Sequence, residues 1–299
     1  RGLYGEVEVR LHGDDRVTVS VEGEGAEDVP TDESHLVVRA MRTVFEAEGA
    51  QLPGLDLHCR NRIPHGRGLG SSASAIVAGV SAAAGLLSNG EPAADRVDRD
   101  RVFQAAADIE GHPDNVAPCV YGGFTIAWRG AEVWRAMAMA VSPRLRPVVC
   151  VPQERLSTER ARGLLPGSVP HADAAFTAGR AALLVAAVSG HPELLLEATE
   201  DRLHEQYREP VMPVSARLIG ELRGCDGLAA VVSGAGPTVL VLGMSSGGPT
   251  QERASAEAGD LTQIIGERVD SIRERTGTGW HIRPLTIDPV GVRVSFPRS

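Results

Sequence analysis

The segment Ile63–Ser74, IPHGRGLGSSAS, runs straight into an apolar, Ala-rich stretch ending at Leu87, and this junction constrains the chain more than any other feature. Gly66, Gly68 and Gly70 admit backbone angles closed to other residues and allow another backbone to approach closely. Ser71, Ser72 and Ser74 supply hydroxyls. The run that follows predicts a helix over 72–87. The first N–H groups of such a helix lack intrahelical partners and sit at the positive end of its dipole. A glycine turn feeding a helix start is a ready anion site, best suited to a phosphate chain. The plain alternative is a glycine-rich turn before a buried helix, and Gly and Ser alone leave the two readings level.

Composition then removes whole classes of chemistry. The chain has no lysine; all 30 basic residues are arginine. Schiff-base catalysis needs a lysine amine, and Walker-type nucleotidases and protein kinases need a phosphate-binding lysine. Here backbone N–H groups and a metal would have to neutralise phosphates. A net charge of -9 and 4% aromatics argue against a nucleic-acid partner. Cys59, Cys119, Cys150 and Cys225 are too scattered for a metal knuckle or redox pair. They read as free thiols in a reducing cytosol, so a cytoplasmic location is expected. No HExxH occurs, and no secretory signal is readable. The apolar stretches fall short of the roughly 18–20 residues that cross a bilayer, so no membrane partner is expected.

At roughly 150 residues per domain, 299 residues suggest two domains. EVEVRL (6–11) and VTVSV (17–21) alternate around the turn-rich HGDDR and predict a hairpin. A helix is expected over 34–49, opening at Ser34, then a strand over 54–60 and a helix over 98–110. CVYGGFTIAWR (119–129) reads as a strand pair broken by Gly122 and Gly123. Pro143 and Pro147 flank a boundary, giving domains 1–145 and 146–299. The second half predicts a strand at 148–151, helices over 171–189 and 192–206, and strand, turn and strand over 228–242. A helix at 261–275 and a last strand near 280–294 complete it. Strands and helices alternate without a regular βαβ period, so the fold class is α+β.

Pro64, Gly68, Leu69, Gly70, Ser71, Ser72 and Ala73 together resemble the second signature motif of the GHMP kinases. VVSGAGPT (231–238) resembles the family's third motif, with Gly234 and Gly236 in its turn. EGHPDNVAP (110–118) resembles the homoserine kinase branch in particular. The resemblance extends over essentially the whole chain. It implies a two-domain fold, with an N-terminal ribosomal-protein-S5-domain-2-like nucleotide domain and a C-terminal ferredoxin-like domain. It implies ATP and Mg²⁺ as cofactors, L-homoserine as phosphoryl acceptor, and a homodimer. Pro64, Gly66, Gly68, Leu69, Gly70, Ser71, Ser72, Ala73, Ser74, Gly234 and Gly236 would bind nucleotide.

On the same basis Ser72 and Glu110 are the expected Mg²⁺ ligands, with Ser71 as a substitute for Ser72. Mg²⁺ takes hard oxygens, usually one or two from protein. His112 and Asn115 match positions lining the amino-acid pocket, while Asp114 shapes the turn. Thr158 and Arg162, four apart, share a face if their turn is helical. With Arg208 they match the residues that contact the substrate, and an arginine fork suits a carboxylate. Ser72, Glu110 and Arg162 are the expected catalytic set, and Arg160 and Arg202 are read as surface residues. The family's opening motif, resembling PATSANLGPGFD, has no counterpart before GLYGEVEV, so the chain reads as starting inside a domain. Two other readings stay open: another GHMP small-molecule kinase, such as a mevalonate kinase, and an inactive nucleotide-binding sensor or remnant.

Overall fold

The computed structural model describes residues 2–88, 97–245 and 251–296, the stretch 251–258 as backbone only. The chain forms two compact units, each with its own core. One comprises 3–65, 70–139 and the segment from 287 onward; the other comprises 66–69 and 140–286. Against an expected single cut at 145, the chain leaves the first unit after Met139 and rejoins it at Ile287.

The first unit contains β1 (Gly5–Leu11), β2 (Val17–Gly23), α1 (Leu36–Ala47), β3 (Leu55–Asn61), α2 (Ser71–Leu87), α3 (Arg99–Glu110), α4 (Val116–Tyr121), β4 (Phe124–Arg129) and β5 (Trp134–Met139). The expected β1–β2 hairpin does not form. β3 lies between them, antiparallel to β1 and parallel to β2. Alternation marks a strand as half-buried but does not choose its neighbour. The most buried strand takes the centre: Leu55 and Leu57 are almost wholly enclosed. The 12–16 turn is wide enough to admit it. His12 N–H donates to Gly54 O at 3.2 Å, and Leu55 N–H donates to Arg16 O at 2.9 Å. A Cβ at Gly54 would stand 1.6 Å from Asp14 O, so only glycine passes beneath that turn.

α1 starts one residue later than expected, because His35 Nδ1, not Ser34, accepts Val37 N–H. α2 contributes Ile76, Val77 and Val80 to a core shared with Phe103 of α3 and Val116 of α4. Its Ala83 belongs to a second core with Met41, Leu55 and Leu57. Burial on two sides explains a helix that is apolar all round. Gly79 lets α1 approach, since a Cβ there would meet Val37 O at 2.5 Å. Residues 116–121 are helical, although a strand was expected from 119. Val116, Ala117 and Val120 are buried at helical spacing, and Gly122 (φ 73°) stops the turn. β4 then pairs with β5. The expected strand running to 294 ends at Pro284. The chain beyond is irregular and crosses α4, where Val292 N–H donates to Val120 O at 3.3 Å.

The second unit contains β6 (Leu145–Pro152), α5 (Thr158–Arg162), α6 (His171–Ser189), α7 (Leu195–Ala198), α8 (Glu205–Arg208), α9 (Pro213–Asp226), β7 (Ala229–Val232), β8 (Val239–Met244), α10 (Gln251–Thr276) and β9 (Trp280–Pro284). Its antiparallel sheet has the order β7-β8-β6-β9. α9 and α10 bury Leu218, Leu222, Ile265 and Ile272 against Val148, Val239 and Val241 of that sheet. The expected helix 192–206 breaks into pieces. Thr199 Oγ1 donates back to Leu195 O at 2.8 Å, and Asp201 starts a new turn by accepting three backbone N–H groups. α6 is 19 residues long, with a window of mean hydropathy 1.3, so by length and composition alone it could cross a membrane. Length and composition are weak evidence here, because Asp173 and Arg180 interrupt it. Both are paired, with Arg202 at 3.4 Å and Glu200 at 2.7 Å.

Candidate active site

The residues singled out by the sequence form one group in each unit. In the first unit the group is built at the start of α2. Gly70 occupies the N-cap position in the left-handed region (φ 73°), and no side chain caps the helix. Its first N–H groups are therefore left for an anion. Ser72 is exposed at this end, and its Oγ donates to Glu110 Oε2 at 2.9 Å. Glu110 closes α3, where Gly111 (φ 81°) terminates the helix. Two hard oxygens thus meet although 38 positions apart in the chain.

The GHPDN segment wraps the same end. Asn115 packs over Gly70: a Cβ built on Gly70 would lie 3.6 Å from Asn115 Oδ1. Asp114 Oδ1 accepts Asn115 N–H at 2.8 Å, which is the turn-shaping role expected of it. His112 Nδ1 is buried and lies 3.1 Å from Asp114 Oδ1, out of line for a hydrogen bond. The ring therefore keeps an unsatisfied nitrogen at the site. On α4, burial, aided by the Glu110 charge, pushes the Cys119 thiol up to about 11. Of the other loop positions, Pro64 is buried, Ser71 is half-buried, and the Ser74 hydroxyl packs against Gly5. The Ala73 side chain is wholly in the core, so only its backbone can serve a ligand.

In the second unit the group surrounds the 233–236 turn. Gly68 (φ 69°) fits against it so closely that a Cβ would stand 2.1 Å from Ser233 O. Ser233 Oγ donates to Gly68 O at 2.8 Å, and Gly236 N–H donates to Ser233 O at 2.9 Å. Leu69, next in the chain, is half-buried. Gly66 O accepts Leu156 N–H at 2.9 Å, which ties the loop to the entry of α5.

α5 is helical, so Thr158 and Arg162 share a face. Ala161 on its other side is wholly buried, in a cluster with Leu156, Met212 and Ala235. Arg208, the last residue of α8, is 9% exposed and donates from Nη1 to Gly234 O at 2.9 Å. Its Nε is buried without a partner. Burial lowers its affinity for the proton and the neighbouring Arg162 charge adds to this, while Asp201 opposes both. Among the described residues the exposed Arg162 guanidinium makes no ion pair. Two guanidiniums whose charges repel each other, one of them buried with an unused donor, favour an anion. Arg160 is exposed, and Arg202 stacks on Phe176 at 3.7 Å, as expected of residues outside the site.

The sequence reading missed Ser233 and Asp201. Ser233 lies inside the glycine motif, where the glycines drew the attention. Asp201, four before Glu205, carried a readable helix-start signal. Among the described residues no three His, Cys, Asp or Glu side chains gather as a metal site.

Comparison with known proteins identifies the family. The family model of the GHMP kinases N-terminal domain matches residues 35–123, and that of the GHMP kinases C-terminal domain matches 183–262. The chain is 48% identical to the homoserine kinase of Streptomyces coelicolor, over 98% of this chain and 86% of the relative. It is 52% identical to that of Leifsonia xyli, over 80% and 72% respectively. In fold it is similar to the crystal structure of homoserine kinase from Cytophaga hutchinsonii, with a TM-score of 0.76 and 24% identity, over 96% of this chain and 87% of that one. Since family models match both halves of the sequence and relatives stay near half identical along almost all of it, the chain belongs to the GHMP kinase family, among its homoserine kinases.

Proposed function

We propose that the protein transfers the γ-phosphoryl group of ATP to the side-chain hydroxyl of L-homoserine, giving O-phospho-L-homoserine on the way to threonine. The observation that carries this reading is 48% identity to a homoserine kinase over 98% of the chain. The two arginines support an acceptor that bears a carboxylate. The N–H groups at the start of α2 would hold the phosphates. Mg²⁺, when bound, supplies positive charge that neutralises the phosphate oxygens. Ser72 Oγ and Glu110 Oε2 fit it: they are hard oxygens, 2.9 Å apart, one of them anionic. Arg162 and Arg208 would clamp the acceptor carboxylate, with Thr158 beside Arg162. His112 and Asn115 would line the amino-acid pocket, His112 offering its unsatisfied Nδ1.

In this reading the residues act by positioning and by stabilising charge rather than by abstracting a proton. The free state of all four cysteines supports a cytoplasmic location. A homodimer belongs to this reading, and sedimentation velocity would test it. The function is tested by ADP release with Mg-ATP and L-homoserine, mevalonate or no acceptor. Turnover is expected with L-homoserine alone. Turnover with mevalonate instead would indicate a different kinase, and ATP binding without turnover would indicate a sensor.

A further inference from the structure

α8 is a single turn, Glu205–Arg208, and a helix this short has no stability of its own. Its start is held by one side chain. Asp201 Oδ2 accepts the N–H groups of His204 at 2.7 Å and Glu205 at 2.8 Å. Asp201 Oδ1 accepts Leu203 N–H at 3.2 Å and stands 3.1 Å from His204 Nδ1. Glu205 then ties the turn to Arg223 at 3.0 Å and to Val232 N–H at 3.4 Å. Arg208 ends the turn, bonded to Gly234 O.

Asp201 also carries the negative charge that opposes both the burial of Arg208 and the repulsion from Arg162. No ion pair joins Asp201 to Arg208, because the carboxylate oxygens are committed to the N–H groups that start α8. A direct pair would occupy the guanidinium fork and close it to a ligand. Here the compensating charge acts without a direct pair, and the guanidinium, bonded through Nη1 to Gly234 O, keeps Nε unpartnered. Against its burial, hydrogen bonding from the His204 side chain and then from those N–H groups keeps the Asp201 carboxyl well below the usual carboxylate range, so the charge persists at neutral pH.

We propose that Asp201 is a positioning residue for acceptor binding, acting through Arg208 by fixing the start of α8 and supplying a counter-charge that does not itself occupy the guanidinium. The inference rests on the reading of Arg208 as a ligand of the acceptor carboxylate. The test is steady-state kinetics of D201A, D201N, R208A and the double variant D201A/R208A. D201A is expected to raise KM for L-homoserine at least tenfold and to leave KM for ATP within twofold. In the R208A background the same substitution is expected to add less than twofold, because the residue it acts through is gone.

An unchanged KM for L-homoserine in folded D201A would overturn the proposal. So would an equal rise in both KM values, or a rise that persists in full beside R208A. If D201A does not fold, D201N serves: it retains one acceptor oxygen for the turn and removes the charge. A threefold or greater rise in KM for L-homoserine is expected for it, and none would refute the counter-charge. R208A separates the two levels. If R208A itself leaves KM for L-homoserine unchanged, the acceptor reading fails. If R208A raises it and the Asp201 variants do not, only the present inference fails.

Discussion

Gly68→Ala tests whether the contact between the phosphate loop and the 233–236 turn is as tight as the backbone geometry requires. Two costs add at this position. Gly68 has φ 69°, a conformation that costs a residue with a Cβ about 1–3 kcal/mol. The new Cβ would also stand 2.1 Å from Ser233 O and 2.7 Å from Gly236 N. Both are backbone atoms in a hydrogen-bonded turn, so no side chain can swing aside. Overpacking of this kind costs about 1–3 kcal/mol, for a total of about 2–6 kcal/mol. The control is Gly49→Ala. Gly49 has φ 71°, and a methyl group added there would meet nothing within 4 Å, so it carries the conformational cost alone.

The assay is urea unfolding of both variants followed by circular dichroism, with KM for ATP measured alongside. Gly68→Ala should lose more stability than Gly49→Ala by about 1–3 kcal/mol. It should also raise KM for ATP, because the loop must move away from the turn, whereas Gly49→Ala should leave KM unchanged. Equal losses in the two variants, within about 0.5 kcal/mol, would refute the argument, since sites with no contact difference should match.

Ser72→Ala and Glu110→Gln should each lower kcat by about 10²–10³-fold, the scale of losing one charge-stabilising group. Ser72 is exposed, so its loss should leave the unfolding midpoint nearly unchanged. Arg208→Ala should raise KM for L-homoserine by about 10–100-fold, the equivalent of one charged hydrogen bond, and Arg208→Lys should not restore it, because an ammonium lacks the planar fork. Alkylation of the native protein at pH 8 should modify Cys225 first, as intact-mass analysis would show. Cys225 is exposed, whereas burial pushes Cys59 and Cys119 up to about 11 and Cys150 to about 12. The Asp201 carboxyl is depressed in the folded state, so its contribution is present above about pH 4 and lost as pH falls further. Acid unfolding of D201N should lack that part of the slope.

Much of the chemistry was legible in the chain itself. The glycine turn Gly66–Gly70 and the helix start after it were legible because glycine spacing and the apolar run behind it are local facts. All of the glycines in that loop do adopt positive φ. The Thr158–Arg162 pair was legible for the same reason, as a four-residue spacing acts within one helical turn. The absence of lysine excluded rival mechanisms without any structure. The GHPDN segment was readable only through its family resemblance, since nothing in its own spacing says that Asn115 will lie against Gly70.

What the tertiary structure alone decided is pairing between distant segments. β1 and β2 have the same alternation whether they pair with each other or flank β3, and the burial of Leu55 and Leu57 settled that choice. Residues 116–121 became a helix because α2 and α3 offered a surface that a helical face fills, overriding a weak local preference for strand. The meeting of Ser72 with Glu110 and the bond from Ser233 to Gly68 each join positions far apart in sequence. Local propensity carries no term for such contacts. They form because closing the cores brings the segments together, and so the residue types were written in the sequence while their company was chosen by packing.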